Sequence, residues 1–132
     1  MGYEVLGIVD NADSALQIVN TTLPDVILMD IKIEGHMDGI ETMREIKKIA
    51  DVPVIYTSGN SDPSTLNRAR EIGYAAFLVK PVIESELRNE IEKIISSKNW
   101  YFKKLYTITV IVDSLSAFFF KVSKSYWIFI HK

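Results

Sequence analysis

The run Pro24-Asp25-Val26-Ile27-Leu28-Met29-Asp30 constrains this chain more than any other stretch. Four apolar residues in succession, with Pro-Asp ahead and a polar, glycine-bearing loop behind, predict a strand buried on both faces. Such strands belong to parallel sheets covered by helices. Asp30 falls where the strand ends, on the edge of an open α/β sheet where ligands collect. A carboxylate there serves as nucleophile, metal ligand or helix N-cap. Asp38, directly before Gly39, is the better placed cap, so Asp30 is assigned to chemistry.

The flanking sequence repeats one rhythm. Tyr3–Val9 is a short apolar run and predicts a strand. Asn11 or Asp13 then caps a helix with Ala12, Ala15, Leu16 and Val19 on one face. Asp38-Gly39 opens a second helix, with Ile40, Met43, Ile46 and Ile49 spaced by three. Val52–Thr57 predicts a strand with proline near its start, where no ladder donor is needed. Ser61-Asp62-Pro63 starts a helix with proline at its first position, and Gly73 stops it. Ala75–Val79 predicts a fourth strand, and Leu87, Ile91, Ile94 and Ile95 stripe a last helix. Strand and helix alternate four times, which implies parallel pairing through right-handed crossovers.

Composition matters chiefly through its unevenness. The 132 residues suit one domain with at most an appendage, and the net charge of −2 is ordinary. The absence of cysteine excludes disulfides, thiol nucleophiles and thiolate metal sites. Met1-Gly2-Tyr3-Glu4 does not open a secretory signal, so a cytoplasmic setting is expected. Residues 1–98 carry sixteen acids against ten bases, whereas residues 99–132 carry one acid, five bases and ten of the fourteen aromatics. That shift predicts a domain over 1–98 followed by an aromatic, basic tail over 99–132.

Each predicted strand end offers a polar group to one rim: Asp30, then Thr57-Ser58-Gly59, then Lys80. Each is unremarkable alone. Together, a carboxylate, a hydroxyl and an ammonium suit phosphorylation of the carboxylate. Asp30 would attack the phosphoryl group, Lys80 and Ser58 would hold its oxygens, and a magnesium ion would offset the charge. His36 has no partner at ligand spacing and reads as solvated. Tyr56 and Met29 read as core.

Pro24–Asp30, Met37-Asp38-Gly39-Ile40-Glu41, Val52–Gly59 and Phe77-Leu78-Val79-Lys80-Pro81, taken in that order, resemble the receiver domain of two-component response regulators over residues 3–98. The resemblance implies a flavodoxin-like α/β fold, a parallel sheet with helices on both faces and the strand order 2-1-3-4-5. It implies that Asp30 is the phospho-acceptor, supplied by a histidine kinase or phosphotransfer protein. Ser58 is then the switch hydroxyl, Phe77 the switch aromatic and Lys80 the phosphate-pairing lysine. Magnesium is implied as cofactor, held by Asp30 and the backbone carbonyl of Lys32, and the Lys80-Pro81 bond is expected to be cis. Catalysis beyond self-phosphorylation and nucleic-acid binding by this chain are not expected; a homodimer stays open.

The chain also departs from the family, whose first strand ends in two magnesium-holding acids and is followed by a helix and a second strand. Only one helix fits between Asp10 and Asp30, because each crossover takes at least about 10 residues. Tyr3–Val9 therefore matches the family's second strand, and the fold is expected as an N-terminally truncated version. Its sheet has a central gap and half its metal site. A receiver remnant that only binds partners is the competing reading. Three readings of the tail compete: non-native sequence from a misread frame, a membrane-associating segment, or a replacement for the missing strand and helix. A membrane span is disfavoured, because Asp113, Lys121 and Lys124 interrupt every apolar stretch of about 20 residues. In the third reading Thr107–Val112 fills the gap as a parallel strand and brings Asp113 beside Asp30 as a metal ligand.

Overall fold

The structure, a computed structural model, describes residues 3–32, 35–98 and 127–131. The elements run β1 (Glu4–Val9), α1 (Ala12–Thr21), β2 (Val26–Asp30), α2 (Gly39–Ile49), β3 (Val54–Ser58), α3 (Pro63–Ile72), β4 (Ala76–Val79), α4 (Glu84–Lys98) and β5 (Trp127–His131). They build one five-stranded sheet in the order β1-β5-β2-β3-β4. Pairing is parallel from β2 through β3 to β4. The fold is the expected flavodoxin-like α/β arrangement with helices on both faces.

The centre of the sheet holds the main correction. The tail does enter the gap between β1 and β2, but through Trp127–His131 rather than Thr107–Val112. It runs antiparallel to both neighbours, so the sheet is mixed where a wholly parallel one was expected. Thr107–Val112 and Asp113 lie outside the described residues. Trp127, Ile128, Phe129 and Ile130 each pair on both sides, for example Ile128 with Ile8 and with Leu28. The ladder against β1 is irregular between Val5 and Gly7. There the backbone approaches α1 so closely that a β-carbon on Gly7 would lie 2.4 Å from Ile18 Cδ1. The composition change near residue 98 is therefore not a boundary of the sheet.

Burial follows the apolar pattern. All five residues of β2 and all five of β3 are buried. One face of the sheet packs Ile27, Met29, Val54 and Tyr56 against Ala15, Val19, Ile40, Met43 and Ile46 of α1 and α2, and against Ala69 of α3. The other packs Val26, Leu28 and Ile55 against Leu87, Ile91, Ile94 and Ile95 of α4. Met29 and Tyr56 are core residues, as expected. Ile49 is instead 46% exposed. Steps of three residues drift against a 3.6-residue turn, so Ile49 has rotated about 180° away from Ile40. β3 begins at Val54 rather than Val52; Pro53 has no N–H, and its carbonyl accepts from Ile27 N–H at 3.0 Å.

Side chains set the helix starts. The Asn11 side chain caps α1 through Ser14 N–H. Asp38 and Glu41 form a reciprocal capping box on α2. Asp62 caps α3 through Thr65 N–H, with Pro63 in the first turn and Gly73 at positive φ closing the helix. That N–H holds the Asp62 carboxyl below its usual range. The cap is thus present at neutral pH and is lost as pH falls through the lowered value.

Candidate functional site

Three strand ends meet at the carboxyl edge of the sheet. The Asp30 residue is 2% exposed. Its Oδ1 accepts the backbone N–H of Lys32 at 3.0 Å, and its Oδ2 accepts Lys80 Nζ. Lys80 follows β4, where its backbone N–H donates to Ser58 carbonyl at 2.8 Å. The loop after β4 carries the expected cis bond between Lys80 and Pro81. A charge buried this deeply needs an opposite charge or donors beside it, and Asp30 has both.

Ser58 is buried on β3, one position beyond Thr57, the residue that pairs with Asp30. Its hydroxyl donates to Asn60 carbonyl at 2.6 Å and accepts Asn60 N–H at 3.2 Å. In this state it is a turn-forming group rather than a partner of Asp30. Phe77 lies on β4 opposite Tyr56. Its ring is 6.5 Å from that of Tyr56 and 5.9 Å from that of Tyr74, in tilted contact with both. The structure thus brings Asp30 and Lys80 into contact, with Ser58 one strand position away and Phe77 packed behind.

Some participants carry no signal in side-chain chemistry. Lys32 acts here through its N–H, and Asn60 through its backbone. Gly39 is required by space: a β-carbon there would lie 2.2 Å from the carbonyl oxygen of Asp30. In the sequence the pair Asp38-Gly39 reads as a helix start and as part of one motif of the resemblance, without a role at the site. Arg68 of α3 reaches Asp38 at 2.6 Å and so ties α3 to the start of α2. His36 is exposed.

Tyr56 is a different case. Its residue is wholly buried, and its hydroxyl has no hydrogen-bond partner among the described residues. Burial, with the negative charge of Asp38, pushes the phenol upward. Tyr56→Phe is therefore expected to keep or raise stability, by about 1 kcal/mol. Urea unfolding checks this, and a clear loss of stability would reveal a partner for the hydroxyl.

The magnesium expected from the resemblance fits this donor set poorly. Among the described residues no group of three or more His, Cys, Asp and Glu side chains could hold a metal. Among the described residues, the Asp30 carboxylate and the backbone of Lys32, whose N–H meets it, are what the expected ligand set leaves. Asp10 follows β1, two strand spacings from β2 and thus about 10 Å away. No helix among the described residues is long and apolar enough to cross a membrane.

Comparison with known proteins agrees with this fold. The family described as response regulator receiver domain matches residues 1–92. The sporulation initiation phosphotransferase F of Bacillus subtilis is 32% identical over 90 residues, covering 67% of this chain and 72% of that protein. The transcriptional regulatory protein PdtaR of Mycobacterium tuberculosis is 33% identical over 95 residues, 72% of this chain and 46% of that protein. Among solved structures, the signal receiver domain of a modulated diguanylate cyclase from Desulfovibrio desulfuricans, titled an example of alternate folding, is 32% identical. It aligns with a TM-score of 0.65 over 70% of this chain and 74% of its own. The chain belongs to the response regulator receiver domain family of two-component systems. It spans about half the length of PdtaR.

Proposed function

We propose that this chain is a phospho-accepting module of a two-component phosphorelay, with Asp30 as the acceptor. The observation that carries this reading is the buried Asp30 carboxylate held against Lys80 Nζ at the carboxyl edge of the sheet. A phosphohistidine on a histidine kinase or phosphotransfer protein is the donor. An Asp30 oxygen attacks phosphorus as the P–N bond breaks, and the leaving imidazole nitrogen keeps the electron pair. The Lys80 ammonium moves from the carboxylate oxygen to a phosphoryl oxygen and balances the added charge. The Ser58 hydroxyl leaves Asn60 for another phosphoryl oxygen, and Phe77 follows into the space behind it. Tyr74, Ala75 and α3 then form the altered surface.

Asp30→Asn keeps the shape and removes the nucleophile. Incubation with a small phosphodonor such as acetyl phosphate should add one phosphoryl mass to the parent chain and none to the variant. Labelling retained in Asp30→Asn would refute the assignment. A second reading, a module that binds partners without accepting phosphate, is favoured by the sparse metal donors. It predicts an unlabelled parent chain, with or without magnesium.

A further inference from the structure

Three described acids near Asp30 at the carboxyl edge, Asp10, Asp38 and Asp62, already have partners. Asp10 accepts Asn11 Nδ2 at 2.9 Å. Asp38 accepts Glu41 N–H at 2.9 Å and Arg68 at 2.6 Å. Asp62 accepts the N–H of Thr65 at 2.9 Å and its hydroxyl at 2.8 Å. Asp38 and Asp62 cap α2 and α3, and using them as metal ligands would open those helices at their starts, whereas Asp10 meets its neighbour Asn11. The central strand adds none. β5 runs antiparallel, so Trp127 is the residue beside Met29 and Val9 at this edge, and Trp127–His131 contains no carboxylate. Asp30 itself has one oxygen on Lys32 N–H and the other on Lys80. Magnesium demands near-ideal octahedral oxygen coordination and sheds its water reluctantly. One carboxylate already neutralised by an ammonium is a weak anchor for it.

We propose that the charge at Asp30 is balanced from within the chain, by the Lys80 ammonium, and that phosphoryl groups are accepted here without a divalent cation. The metal's work of offsetting charge falls to a side chain on β4's end, and the Lys32 N–H supplies the second fixed donor. The labelling half of this proposal rests on the phospho-acceptor reading above; the metal half does not.

The test has two arms on the full chain. With Mn²⁺ as probe, the free-ion paramagnetic resonance signal is expected to be the same with and without protein. A signal loss that saturates at one ion per chain and disappears in Asp30→Asn would overturn the proposal. Loss that disappears in Asp113→Asn would overturn it equally, by revealing a second acid. In the other arm, acetyl phosphate labelling is read by intact mass in EDTA and in magnesium, and equal labelling is expected. Labelling only with magnesium overturns the proposal but keeps Asp30 as acceptor. No labelling in either overturns the acceptor reading, and the Mn²⁺ arm then decides charge balance alone. Lys80→Ala is expected to lower labelling in EDTA by about tenfold or more, and Lys80→Arg to restore part of it. Unchanged labelling in Lys80→Ala would overturn the role given to Lys80.

Discussion

Gly39→Ala is expected to cost about 3 kcal/mol of stability, near the upper end for overpacking a buried site. The new β-carbon would stand 2.2 Å from the carbonyl oxygen of Asp30 and 3.0 Å from its carbonyl carbon. Both are backbone atoms of a fully buried strand, so no side-chain rotation relieves the contact. Either α2 moves outward or β2 bends. Moving α2 breaks the bond from Gly39 N–H to Ile31 carbonyl, 3.0 Å long, and drags the Asp38 cap with it. Bending β2 displaces the Asp30 carboxylate from Lys80. Labelling should therefore fall together with stability. Gly59→Ala is the control, because a β-carbon there meets no heavy atom within 4 Å. It should change stability by less than about 0.5 kcal/mol. Urea unfolding of both variants separates close approach from a general intolerance of alanine.

Ile128→Pro is expected to be more damaging still. Ile128 pairs with Ile8 on one side and Leu28 on the other, within a strand that has neighbours on both edges. Proline supplies no N–H, and its ring is tolerated in sheets essentially only at edges and bulges. The facing carbonyl loses its ladder donor, and a buried group left unpaired costs about 1–3 kcal/mol. Distortion of both ladders adds to that. The sum is a large part of the ~5–15 kcal/mol that holds a domain together. Thermal unfolding followed by circular dichroism should show a broadened or vanished transition. A variant as stable as its parent would refute the placement of Trp127–His131 between β1 and β2.

The legible parts of this chain were those in which one periodicity or one cap speaks for itself. Val26–Met29 could only be a doubly buried strand, and Asp38 with Glu41 could only start a helix. Asp30 and Lys80 were assigned to one rim from their strand-end positions and meet there. Ile49 departs from the expected face because a three-residue spacing looks helical locally and drifts off the face over about two and a half turns. The filler of the central gap was misjudged for a different reason. Thr107–Val112 has β-branched residues and a trailing acid, so it looked like a first strand. A central slot demands backbone pairing on both sides, and either direction satisfies that demand equally. Apolar sequence alone could not choose between the segments or between the directions. Asn60 and Gly39 carry no sequence signal as site residues because they act through backbone groups or through the absence of a side chain, and Lys32 enters only through the resemblance, by its carbonyl, whereas its N–H is what meets Asp30.

The position of β5 also bears on the order in which this chain can fold. β1 and β2 are near neighbours in sequence, yet the strand that joins them lies about a hundred residues further on. β2, β3 and β4 can assemble as soon as their crossover helices exist, whereas among the described residues β1 has no ladder partner until Trp127–His131 arrives. During synthesis the inner edge of β2 therefore stays bare while four helices and four strands are already made. Contacts of such long sequence separation are slow to form, and bare strand edges invite pairing with other chains in the interval. Yield of folded protein should accordingly depend on concentration and on chaperone supply more steeply than for a receiver whose central strand is made first.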